Sequence, residues 1–137
     1  MIERLFLTLT FFFLIVTGLR PCVGQPLNVD SLVTVLKTTQ IDTSKVNLLY
    51  RLSDAYTETK PDKAIEYANQ GLTLSKKIDF TKGQSICLNA LGLAYYQIGK
   101  FDSAMIYFER CHKIVKELRD SLGIARVYDN IGSMQDC

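Results

Sequence analysis

Along residues 88–111, LNALGLAYYQIGKFDSAMIYFERC, apolar side chains recur at helical spacing: Leu88, Leu91 and Tyr95 in one run, then Ala104, Phe108 and Cys111 in the next, with Gly99 between them. The pattern predicts two amphipathic helices folded back on each other through a tight turn. Gly92 and Ala104 are small residues at mid-helix positions, where propensity alone would not choose a glycine. Close approach of the paired helices is the expected reason.

The rhythm repeats along the chain. Gly83 and Gly123, Leu91 and Ile131, Gly92 and Gly132, and Ala64 and Ala104 are paired at a separation of about 40 residues. An earlier unit, LSDAYTETKPDKAIEYANQG, places Leu52 under Leu91 and Tyr56 under Tyr95, one residue closer, which predicts a turn shorter by one residue. Pro61 starts its second helix in place of a glycine turn. Ser53 stands where Gly92 stands and Gly71 where Cys111 stands, so small size is kept where identity is not. Before this unit, Asp30 is expected to cap a short helix with Leu32, Val35 and Leu36 on one face, too brief to be stable alone and suited to covering the first hairpin as a lid. Asp42 or Thr43 then starts a helix through Val46, Leu49, Leu52 and Tyr56, and Pro61 one through Ala64, Ala68 and Leu72. Residues 78–82 form a loop, the second hairpin ends near Leu118, and 119–121 cap a last helix through Ile124, Val127, Ile131 and Met134.

The second unit resembles a tetratricopeptide repeat, whose signature is leucine-glycine, a tyrosine three residues on, then alanine and phenylalanine in the partner helix: here Leu91, Gly92, Tyr95, Ala104 and Phe108. Two features depart from the family. Leu88 stands near the place of its tryptophan, and the period exceeds the usual length of about 34 residues, which keeps armadillo and HEAT repeats as the alternative architecture. The resemblance implies an all-α fold, a right-handed stack of antiparallel hairpins with units near 43–80, 81–119 and a partial one at 120–137, about two and a half repeats after the lead-in and lid helix at 25–42. Leu52, Tyr56, Ile131 and Gly132 join Ala64, Leu91, Gly92, Tyr95, Ala104 and Phe108 as the packing positions.

The first residues follow another pattern. A basic side chain at Arg4, an apolar run at 5–16 broken only by Thr8 and Thr10, and small or modest residues at 22–24 match a secretory signal peptide cleaved after Gly24. Arg20 and Pro21 arrive too soon for a span of about 20 apolar residues. They also suit poorly a lipoprotein site at Cys22. The expected location is therefore periplasmic or extracellular, with membrane attachment only through an uncleaved leader.

Charge and cysteines narrow the function. The formal net charge is +2, and loss of Arg4, Arg20 and Glu3 with the leader brings it nearer zero, so no long-range field draws nucleic acid or an anionic membrane. Lys76 and Lys77 read as cations set against a helix dipole. Cys87, Cys111 and Cys137 have no metal-ligand spacing, and the first two sit at core positions, although export would permit a bridge between them. His112 is the one histidine and lacks a positioned partner, neither a dinucleotide nor a Walker loop occurs, and Asp54 with Glu58, one helical turn apart, reads as a solvated pair. The sequence therefore predicts a protein that is not an enzyme and needs no cofactor or metal.

What remains is recognition. The resemblance implies that the first helix of each unit lines a concave face for a protein or peptide partner: Asn47, Tyr50, Arg51 and Asp54, then Asn89, Leu93, Tyr96 and Gln97, then Arg126, Asp129 and Asn130. Tyr50 and Ala90 depart from the lysine, arginine and asparagine set of the family's peptide-carboxylate clamps, which disfavours a chaperone-tail receptor. The last helix lacks a partner in this chain, predicting either the front of a longer protein or self-association through its exposed face. Exported long-period repeats also resemble the sensory regions of bacterial membrane-bound histidine kinases and transcriptional regulators, the alternative role.

Overall fold

A computed structural model of the chain describes residues 28–135. The leader expected at 1–24, with Cys22, and Cys137 lie outside the described residues. Within them the chain forms six α-helices and no strand: α1 Val29–Thr38, α2 Thr43–Tyr56, α3 Pro61–Lys77, α4 Thr81–Gln97, α5 Phe101–Glu117 and α6 Ser121–Gln135. Each packs antiparallel on the next, giving the all-α helical repeat that the spacing predicts. No helix among the described residues is long and apolar enough to cross a membrane.

The period has a simple origin. Helices α3, α4 and α5 are each 17 residues long, and each is followed by a three-residue connection, at 78–80, 98–100 and 118–120. All three connections close the same way. Asp79, Gly99 and Arg119 take left-handed backbone, with φ of 54°, 73° and 55°. The next amide then reaches back to the helix, from Phe80 to the Ser75 carbonyl (2.8 Å), Lys100 to Tyr95 (2.9 Å) and Asp120 to Val115 (2.9 Å). That is the αL termination that satisfies otherwise orphaned carbonyls. Only one of the three is a glycine, so two side chains accept strained backbone to keep the spacing.

The first hairpin ends differently. The missing residue comes out of the helix, not the turn: α2 stops after 14 residues, and its connection, 57–60, is one residue longer than the three at 78–80, 98–100 and 118–120. Lys60 is held at φ −146°, ψ 69°, outside the helical region that a following proline disfavours, so Pro61 opens α3 at its first position. The amides of Thr59 and Lys60 both turn back to the Tyr56 carbonyl.

Helix starts follow side-chain chemistry. The Asp42 carboxylate accepts the amides of Ser44 (2.8 Å) and Lys45 (3.2 Å), capping α2 as predicted. Asp120 does the same for Gly123 (3.0 Å) ahead of α6. At α1 the cap is Asn28, whose Oδ1 accepts from Asp30 (3.0 Å) and Ser31 (3.4 Å). Asp30, expected to be the cap, lies in the first turn, where its charge suits the helix dipole. The lid is shallow: α1 packs on α2 alone, buries none of its residues and leaves Val35 52% exposed.

The core runs through the middle hairpin. Leu52, Leu91, Ala64, Ala68, Ala94, Ala104 and Phe108 are buried. Gly92 is the close joint between α4 and α5: a Cβ there would stand 2.5 Å from the Phe108 ring, so the aromatic lies directly on glycine backbone. In the first hairpin the equivalent Ser53 is fully buried, and its hydroxyl donates to the Ala64 carbonyl at 2.8 Å. Gly71 abuts the Cys87 thiol, 2.7 Å from where a Cβ would be. Tyr56 and Tyr95, two packing positions in register, stack on Tyr67 and Tyr107 at 5.8 and 5.2 Å between ring centres, an offset geometry in which aromatic pairs attract. Gly132 breaks the series. Expected at a close approach, it has nothing within 4 Å, because no described helix lies on that side of α6.

Candidate binding face

Which side of the stack is concave follows from the helix neighbours. Alternate helices α2 and α4 touch, as do α4 and α6, whereas α3 and α5 come nowhere within 8 Å of each other, Cα to Cα. The stack therefore bends around α2, α4 and α6. The connection geometry above puts these three helices in parallel, so their matching turns form transverse rows.

The predicted row divides in two. Asn47, Arg51, Asp54, Gln97, Arg126 and Asp129 are exposed, while Tyr50, Leu93, Tyr96 and Asn130 are half-buried. Asn89 departs from the expectation. It is 5% exposed, and its Oδ1 accepts from Asn130 Nδ2 at 2.8 Å, so this pair joins α4 to α6. A buried amide must be satisfied internally, and a helix one repeat away supplies the donor. Tyr50 bridges the units as well. Burial raises the pKa of its phenol, the nearby Asp54 carboxylate and Cys87 add to the rise, and Arg126 opposes it.

The thiols serve packing. Cys87 and Cys111 are both free and buried. Cys87 faces Gly71, whereas the Cys111 thiol donates to the Ser85 carbonyl at 3.2 Å. They thus point into different contacts, and the bridge that export would permit is not formed. Burial pushes the Cys87 thiol up to about 12 and Cys111 up to about 11, far from the thiolate range that reactive cysteines need. His112 packs edge-on against Tyr128, 5.2 Å between ring centres, pinning α5 to α6.

Two hollows mark the face. A small one of about 120 Å³, between α4, α5 and α6, includes Lys82, Asn89, Cys111 and Arg126. A larger cleft of about 390 Å³ lies between the last turns of α2 and α4 and is lined by Asp54, Glu58, Leu93, Tyr96 and Gln97, among others. Four of these were predicted as partner-facing. Glu58 was read only as half of a solvated pair, yet it shares the cleft. The available signal was its place: acidic groups at a helix C-terminus oppose the dipole and invite a reason.

A tetratricopeptide repeat family model matches residues 87–114, which include most of α4, the Gly99 connection and most of α5. No curated protein sequence matches the chain. The match falls on the hairpin carrying Leu91, Gly92, Tyr95, Ala104 and Phe108, and supports a tetratricopeptide repeat protein.

Proposed function

We propose that this chain is a non-catalytic interaction module that holds a segment of a partner protein along the inner faces of α2, α4 and α6. Tetratricopeptide repeats generally mediate protein–protein interaction. The observation that carries the reading is the asymmetry of helix neighbours: the inner helices touch, the outer α3 and α5 do not, and the curvature presents Tyr50, Leu93 and Tyr96 as an apolar line among polar neighbours. The apolar leader pattern supports an exported setting for this interaction. Panning the full chain against a displayed dodecamer library tests it. Selected peptides should lose binding to Tyr50→Ala and Leu93→Ala variants that still melt cooperatively; retention by both would place the contact elsewhere.

A second reading draws on the open face of α6, where Leu122 is 70% exposed and Gly132 meets nothing. In it this face receives a further helix, from a second copy or from the output-linked region of a membrane-bound signalling protein. Light scattering over a concentration series separates the first source, with a strictly monomeric species counting against it.

A further inference from the structure

The cleft between α2 and α4 has a one-sided polarity. Half-buried Leu93 and Tyr96 give it an apolar wall, with the Tyr96 ring held 5.6 Å from Phe101. Exposed Asp54 and Glu58 stand beside that wall, and no basic side chain lines the cleft. Neighbouring like charges repel, with Glu58 in the connection just beyond α2, and the Asp54 carboxylate in the last turn faces the negative end of its own helix dipole. The inner helices make that end worse. Outer helices α3 and α5 carry Lys76, Lys77 and Lys116 in their last turns, whereas α2 and α4 have no basic residue there, and they end side by side at this cleft. Two helix ends without a basic residue in the last turn and two carboxylates thus converge on a hollow with an aromatic wall.

Resting on the concave-face reading, we propose that this cleft receives a basic side chain, arginine or lysine, from an extended segment of the partner protein. The cation would sit between the Asp54 and Glu58 carboxylates with its aliphatic stem against Leu93 and its charge near the Tyr96 ring, combining charge-assisted hydrogen bonds with cation–π attraction. A volume of about 390 Å³ suits one long side chain and is near the lower limit, roughly 300 Å³, for sites that hold whole small ligands. Local features that each cost helix stability are then features of a receptor.

The test uses ethylguanidinium as probe and ethylurea as its neutral isostere, with the full chain followed by amide NMR. Ethylguanidinium should shift amides at 54–59 and 93–97 saturably, ethylurea should not, and the double variant Asp54→Asn, Glu58→Gln should weaken the effect at least tenfold. That variant should melt no lower than the parent, since it removes like-charge repulsion. Equal shifts from both probes, or shifts indifferent to the double variant, overturn the proposal. The panning experiment separates the two readings. Binders that need Tyr50 and Leu93 but carry no recurrent basic residue leave the concave face standing and sink the cation cleft; binders indifferent to both residues sink the face itself.

Discussion

Gly92 and Gly132 occupy the same place in successive repeats, yet one supports a phenylalanine ring at contact distance and the other meets nothing. The same residue is a tight joint in α4 and an open position in α6. What differs is the neighbour: Phe108 arrives from α5, and no described helix plays that part for α6. A small residue therefore marks where a helix can approach, while the energy comes only from the helix that does.

The largest test of that contrast is Phe108→Ala. It removes a fully buried ring from the centre of the core and should cost about 3–5 kcal/mol, read as a loss of denaturation midpoint. Next come the two glycines. Gly92→Ala forces a methyl into the Phe108 ring and should destabilise by about 1–3 kcal/mol. Gly132→Ala adds helix propensity in open space and should stabilise by about 0.5–1 kcal/mol. Opposite signs in parallel urea melts would establish the contrast; equal losses would show that α6 is covered.

Ser53→Ala sharpens it within the first hairpin, where a hydroxyl on the Ala64 carbonyl stands in for the aromatic contact. Loss of one buried hydrogen bond should cost about 1 kcal/mol. The smallest effect is at the connections. Arg119→Gly relieves left-handed backbone at φ 55° and should gain at most about 1 kcal/mol; Gly99→Ala, at φ 73°, should lose a comparable amount.

Periodicity made the helices legible, and chemistry made their ends so: Asp42, Pro61, Gly99 and Asp120 all act where their residue types predict. The α1 cap slipped from Asp30 to Asn28 because two capping residues stand almost together and only geometry chooses between them. Asp79 and Arg119 were invisible as left-handed residues, since neither is a glycine and the requirement comes from matching the connection at Gly99. Long-range pairing was the other blind spot. The Asn89 side chain looks like any polar position on a helix face until α6 brings Asn130 against it. The cleft at Asp54 was half legible: its residues were on the inner row, but the convergence of two helix ends depends on the shortened α2.

Helix α4 touches α2, α3, α5 and α6, whereas α1 rests on α2 alone. Amide protection should therefore be deepest in α4 and fall away toward both ends, with α1 fraying first. Because all of these partners lie close along the chain, assembly can begin at the middle hairpin and spread outward with little loop-closure penalty, which favours rapid folding. A keystone in the centre, with edges free to loosen, lets the inner surface adjust its curvature to what it holds while the middle stays intact.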